Sequence, residues 1–220
     1  YIAKNSECKV IFQGDGMDEV AGSYIYLANA PDEKSFDNES IKLLKEIHTF
    51  DVLRADRTIS DHGLEPRTPF LDKKFVNYYM SIPTKHRMHN DKIEKFLLRK
   101  AFGDDNLLPD SVLWRRKEAF SDGCSSEKRS WYNIIQEHVD QFISDDEFNK
   151  IKNNFKHNVP KLKETLYYRL IFDRYYSNHS NVIPHFWMPK WTKNNTDDPS
   201  ARTLTDIYSK KFYTEDKTKE

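Results

Sequence analysis

The sequence predicts an α/β fold of a particular kind: the last strand of a parallel sheet followed by a mostly helical region, the whole a fragment of a larger domain. Three observations carry this. Val10-Ile11-Phe12 is a compact apolar run stopped by Gly14, which reads as one short, fully buried strand over 9–13. Beyond it, apolar residues recur at helical rather than alternating spacing. A single strand cannot form a sheet, so its partners must come from elsewhere.

The helical elements follow in order. Between Ser40 and about Thr58, the apolar residues Ile41, Leu44, Ile47, Phe50 and Leu53 share a face, after the capping-type residues Asp37 and Asn38. "FLDKKFVNYYMSIP" sets Leu71, Phe75, Tyr78, Tyr79 and Ile82 on one face and stops at Pro83. "KIEKFLLRKAFG" does the same with Ile93, Phe96, Leu97 and Ala101, with Gly103 as C-cap. Further helices fit 128–143, through Trp131, Ile134, Ile135, Val139 and Phe142, and 161–176, where "YYRLIFDRYY" reads as core packing. There is no internal repeat. From Asn194 the chain turns polar, which divides it into a body of residues 1–193 and a flexible tail of 194–220 in which Leu204 and Tyr208 are the candidates for docking.

Composition narrows the function classes. Lys+Arg and Asp+Glu both number 35, so no net field favours nucleic acid or an anionic membrane. Aromatic residues make up 14%, enough for a real core. The two cysteines, Cys8 and Cys124, form no CxxC pair, which argues against a disulfide framework or a zinc site and for a reducing, cytoplasmic setting. Without a signal peptide or a long apolar run, the chain reads as soluble. The eight histidines show no ligand spacing such as HExxH. The first residue is Tyr1 rather than Met, which suggests a fragment or processed chain.

The chemistry concentrates where the strand ends. Gly14 and Gly16 bracket Asp15, and Asp18 and Glu19 follow at once. In parallel α/β sheets ligands sit beyond the carboxyl ends of the strands, and glycines let backbone approach a phosphate or nucleoside closely. Asp18 is spaced to suit magnesium, which takes carboxylate and phosphate oxygens. The same letters also allow a plain β-turn into a helix with Asp15 or Asp18 as N-cap. Both readings stay open on the residues alone.

The longer text adds a resemblance. "GDGMDEVAGSYIY", "LRADRTISDHGLEPRTPFLDKKF", "IEKFLLRKAF", "WRRKEAFSDG" and "FWMPKW" come in this order, and "DPSARTLT" extends the match towards the end. Together they resemble the synthetase domain of the animal-type glutamine-dependent asparagine synthetases, over nearly the whole chain. The resemblance implies that strand 9–13 belongs to an adenine-nucleotide-binding sheet. It implies a ligase of amino-acid biosynthesis that activates aspartate with ATP and magnesium as a β-aspartyl-adenylate and amidates it with ammonia from glutamine. A homodimer is compatible with it.

Carried over residue by residue, the acidic turn matches the family pattern S-G-E-G-S-D-E. Gln13 and Gly14 then line the ATP site, Asp15 supports adenylation, and Asp18 is a magnesium ligand. Gln13 stands for the usual serine and Asp15 for the usual glutamate. Asp is one methylene shorter, so its carboxylate falls about 1 Å short, a misplacement that can cost on the order of 100-fold in rate. Asp51 and Arg54 lie three apart on a predicted helix, as a solvated ion pair would; the resemblance puts them beside the active site. Lys117 lies in a run of three cations between Trp114 and Phe120, before a Ser-Asp-Gly turn; by itself this is an ordinary basic loop, and the resemblance sends Lys117 to the phosphates. Tyr24, Glu65, Arg67 and Asp72 are also matched, and we read them as structural, with Glu65 and Arg67 flanking Pro66 in a turn and needing partners if buried.

Two family features have no counterpart in these residues. No Gly-Gly pair occurs, so the pyrophosphate loop S-G-G-x-D-S is missing. No cysteine can serve as the N-terminal glutaminase nucleophile, since Cys8 lies in the approach to the strand. The 220 residues alone are therefore expected neither to bind ATP well nor to make asparagine, and to expose an apolar strand edge along Val10–Phe12. The rivals are a β-lactam synthetase, which adenylates another carboxylate, and a non-catalytic helical binding module; "DHGLEPRTPFLD" speaks against the first.

Overall fold

The structure is a computed structural model that describes residues 1–89, 93–115, 117, 119–120, 124 and 129–192. The described residues fall into two compact units, one running up to Arg115 and one starting at Lys117. The polar segment from Asn194, with Leu204 and Tyr208, lies outside the described residues.

In the first unit the order is α1 (Ile2–Asn5), β1 (Val10–Phe12), α2 (Met17–Val20), α3 (Glu33–Glu46), α4 (Asp51–Ser60), β2 (Glu65–Arg67), α5 (Lys73–Ser81), α6 (Thr84–Arg87), α7 (Phe96–Gly103) and α8 (Asp110–Leu113). The α/β class is as expected: a small parallel sheet in a mostly helical chain. The sheet has two strands, however, because β1 pairs in parallel with β2 in the register Val10–Glu65, Ile11–Pro66 and Phe12–Arg67. Residues 65–67 are thus a strand, not a turn. Pro66 is tolerated there for a geometric reason. The Glu65 amide donates to the Lys9 carbonyl at 2.8 Å and the Gln13 amide to the Arg67 carbonyl at 2.8 Å. Pro66 lies between them, so its nitrogen faces away from β1 and its missing N–H costs no ladder bond.

β1 is not fully buried. Val10 and Phe12 lie on one face, 42% and 76% exposed, and Ile11 on the other is half-buried. With one neighbouring strand, the sheet has too little cover to bury both faces. Glu65 and Arg67 are likewise exposed, and they pair with each other.

The helix expected over 40–58 is longer and broken. It starts at Glu33, with Asp32 as N-cap accepting from the Ser35 amide at 2.7 Å. Asp37 caps nothing and pairs with the buried Arg87 instead. A 3-10 turn at Ile47–Thr49 and Phe50, at φ −120° and ψ −102°, separate α3 from α4. Asp72 caps α5, accepting from Lys74 and Phe75 amides at 2.9 and 3.1 Å. The buried face of α5 is Phe75, Val76 and Tyr79; Tyr78 points outward, 72% exposed. These side chains pack with Phe70, Leu71, Leu97 and Leu98 around Met17, Val20 and Ala21, which seats the short α2 on the core. Gly103 closes α7 from within, and Asp104 in right-handed conformation is the C-cap.

The second unit is helical: α9 (Trp131–Val139), α10 (Asp145–Ile151) and α11 (Lys163–Tyr175). Ser130 caps α9 and Ser144 opens α10 with a capping box to Glu147. Val139, Ile143 and Leu166 form its core, with Ile135 and Phe155 against them. Trp131 and Phe142, expected inside, are 55% and 58% exposed. No described helix is long and apolar enough to cross a membrane.

Candidate active site

From Phe12 the chain passes through Gln13-Gly14-Asp15-Gly16 into α2. The N-cap of α2 is Gly16, at φ 91° and ψ −20°, and no side chain caps it. The alternative in which Asp15 or Asp18 caps the helix is therefore overturned. Gly16 is required twice over: its φ lies where side chains are disfavoured, and a Cβ there would sit 2.3 Å from Leu71 Cδ2. Gly14 is different. It is exposed, and a Cβ built on it meets no atom within 4 Å. Gln13 is half-buried, and its Oε1 is buried with no hydrogen-bond partner among the described residues.

The turn and α2 deliver three carboxylates, and α4 brings a fourth with a cation. Asp51, the first residue of α4, receives the Arg54 guanidinium on Oδ1 at 2.6 Å. Tyr24 reaches Asp51 Oδ2 at 3.3 Å and donates to Glu19 Oε1 at 2.6 Å. Asp15 is half-buried. Partial burial raises its carboxyl above the ordinary range, the Asp51 charge raises it further, Arg54 opposes this, and Asp18 adds to it. Glu19, 3% exposed, is raised first by burial, against the Tyr24 hydrogen bond. Tyr24 is held protonated by burial and by the adjacent Glu19 and Asp51 charges. Asp15, Asp18, Asp51 and Arg54, selected from the sequence, thus belong to one electrostatic group in the first unit.

Asp18 is held by neighbours that the sequence did not single out. Ser23 Oγ donates to Asp18 Oδ1 at 2.6 Å, and Lys95 Nζ lies 2.7 Å from the same atom. Lys95 stands at φ 60° just before α7, a conformation rare for lysine. No spacing joins Lys95 to Asp18, which is why sequence reasoning missed it. Glu19 had a faint signal, a charge between the buried Met17 and Val20 of a one-turn helix.

Lys117 opens the second unit and is half-buried there. Trp114 packs near Phe96, ring centres 6.1 Å apart, and Phe120 is exposed. Arg116, Glu118 and the expected Ser121-Asp122-Gly123 turn lie outside the described residues. Cys8 and Cys124 are free and exposed.

Among the described residues no three His, Cys, Asp or Glu side chains are grouped as a metal cage. Asp18 with Asp15 close by offers the one or two carboxylates that magnesium takes when phosphates supply its other oxygens. Lys95 and Ser23 already hold Asp18 Oδ1, so an ion bound there would share Asp18 with the lysine ammonium.

A sequence model of a known family, described as asparagine synthase, matches residues 28–199. The chain belongs to the asparagine synthase family. It is 51% identical over 205 residues to "Asparagine synthetase [glutamine-hydrolyzing]" of Cricetulus griseus, covering 93% of this chain and 36% of that protein. The proteins of the same name from Gallus gallus and Homo sapiens are each 50% identical, with the same coverage. The chain thus spans about a third of the length of these curated relatives. The resemblance read from the separate motifs is borne out, and asparagine synthase membership explains the isolated strand pair as part of a larger α/β domain. Asp15, Asp18 and β1 precede the first residue matched by the family model, whereas β2, Asp51 and Arg54 lie within the match, and the pairwise similarity reaches further than that model.

Proposed function

We propose that this chain is part of an asparagine synthetase, a cytoplasmic ligase that amidates aspartate with ammonia drawn from glutamine at the expense of ATP. One observation carries the reading: Tyr24 bridges Glu19 of α2 and Asp51 of α4, and Asp51 holds Arg54, so the acidic segment after β1 and the Asp51–Arg54 pair meet. About 50% identity to glutamine-hydrolysing asparagine synthetases supports it.

In this reading the exposed Gly14 leaves room for the nucleotide, and the neighbouring half-buried Gln13 lines the same site. Asp18, braced by Ser23 and Lys95, faces the polyphosphate with a fixed carboxylate. Magnesium held there neutralises phosphate charge. Arg54, beside Asp51, balances the crowding of negative charge that builds when aspartate arrives. Asp15 supports transfer of the aspartate side-chain carboxylate to the adenylyl group, giving a β-aspartyl-adenylate that ammonia then attacks. Lys117 stabilises charge developing on the α-phosphate and the leaving pyrophosphate. Glutamine hydrolysis belongs to a separate glutaminase domain, since neither cysteine here is placed for it, and these residues alone are inactive.

The test is aspartate-dependent pyrophosphate release by the whole protein that carries this chain. Asp15→Ala abolishes it, and Asp15→Glu keeps or raises it. A fully active Asp15→Ala variant removes Asp15 from the reaction; a protein that binds partners yet never releases pyrophosphate favours the non-catalytic alternative.

A further inference from the structure

Tyr24 lies between two carboxylates. Its hydroxyl is 2.6 Å from Glu19 Oε1 and 3.3 Å from Asp51 Oδ2. A phenol has one proton to donate, which faces both acceptors as a three-centre bond with its short arm on Glu19 and its long arm on Asp51. Glu19 has little freedom of its own, because α2 sets it between Met17 and Val20 on the core. A carboxyl so buried needs a partner, and Tyr24 provides it. The Tyr24 ring stacks on Tyr26, centres 6.0 Å apart, and the Tyr26 hydroxyl donates to the buried Glu39 at 3.1 Å. The phenol is therefore fixed along its length, with Asp51 at its tip and Arg54 on the other oxygen of Asp51.

We propose that Glu19 is a positioning residue: buried in α2, it pins the Tyr24 hydroxyl and through it fixes the place of the Asp51 carboxylate beside Asp15. The inference rests on the acidic turn being the reaction site, as read above. Glu19 touches neither substrate nor reacting atoms. It acts through Tyr24, so its loss is felt only while the Tyr24 hydroxyl is present to be misplaced.

The experiment is a double-mutant cycle in the whole protein, with Glu19→Ala, Glu19→Gln, Tyr24→Phe and the Glu19→Ala/Tyr24→Phe pair. Glu19→Ala and Tyr24→Phe each lower kcat about 10- to 100-fold, as small misplacements of reacting groups do, while KM for ATP stays within about twofold. Glu19→Gln, which keeps an acceptor oxygen, retains most of kcat. The pair is no worse than the worse single variant, because the two residues act in series. Losses that multiply, or wild-type kcat in Glu19→Ala, overturn the proposal. A second readout needs no turnover: the side-chain carboxyl resonance of Asp51 in protein labelled with 13C-aspartate. It moves in Glu19→Ala and Tyr24→Phe and stays near its native position in Glu19→Gln. An unmoved Asp51 resonance in Tyr24→Phe overturns the positioning role even if Glu19→Ala fails to fold. Lack of pyrophosphate release by the wild-type protein instead overturns the functional reading, and the resonance still decides the role of Glu19.

Discussion

Gly16→Ala is the substitution whose effect the structure specifies best. The backbone at Gly16 has φ 91°, and an L-residue forced into the left-handed region loses about 1–2 kcal/mol. The added Cβ would also sit 2.3 Å from Leu71 Cδ2 and 2.4 Å from its Cγ. Leu71 is part of the packing around Met17 and Tyr79, and overpacking of this kind costs about 1–3 kcal/mol. The two effects are of different origin, so the expected loss is about 2–5 kcal/mol. Urea unfolding measures it, with Gly14→Ala as the comparison. Gly14 is exposed and its added Cβ meets nothing within 4 Å, so Gly14→Ala unfolds within about 0.5 kcal/mol of wild type. Adding Leu71→Ala to Gly16→Ala relieves the clash but not the backbone strain, so the pair is less destabilised than the two single losses combined. A Gly16→Ala protein as stable as wild type would show that the turn is not held as described.

Three further outcomes are expected. In the whole protein, Lys117→Ala lowers kcat by at least about 100-fold, as loss of one preorganised charge contact does, and Lys117→Arg restores only part because a planar guanidinium is no compact ammonium; a change confined to KM for ATP makes Lys117 a binding residue only. Calorimetric titration of residues 1–220 with ATP and magnesium shows no binding tighter than millimolar, about 4 kcal/mol, because no Gly-Gly pair is present to build the pyrophosphate loop; micromolar binding contradicts this. Hydrogen bonding and charge from Lys163 hold the Asp145 carboxyl below its usual range. Its folded pKa is therefore below the unfolded one, and the stabilisation is present above about pH 4 and fades as pH falls through the lowered value. Thermal unfolding of wild type and Lys163→Gln accordingly differs at pH 6 and converges in strong acid, more weakly so in high salt; a pH-independent difference removes the pair as its cause.

Which parts were legible follows from where the information is local. The strand at Val10–Phe12 is a short-range pattern and was readable; Asp72 was read as structural but not as the cap of α5, and the start after Ser130 was missed in favour of 128. β2 was not, because Glu-Pro-Arg has neither alternation nor apolar content, and only its pairing with β1 makes it a strand. The break at Phe50 was hidden because apolar steps of three continue across it. The start of α3 was misplaced because Asp32, not Asp37, caps it, and Asp37 lies inside the helix, paired with Arg87 fifty residues on. In the candidate site, Asp51 and Arg54 are neighbours on one helix, whereas Lys95 reaches Asp18 only through tertiary folding. Glycine between acids announced the turn; what surrounds the acids did not.

The place of Pro66 gives the sheet a direction of growth. On the outer side of β2 a donor is missing where Pro66 stands, and the flanking Glu65 and Arg67 are charged and exposed; such an edge repels another strand. The outer side of β1 presents the amides and carbonyls of Val10 and Phe12 instead, since Lys9 and Gln13 bond towards β2. Its apolar side chains are exposed as well. Additional strands, native or misassembled, therefore join beside β1, and β2 acts as the terminator of the ribbon. A crosslinking or exchange experiment on any assembly of this chain should find protection at residues 10–12 and none on the far side of 65–67.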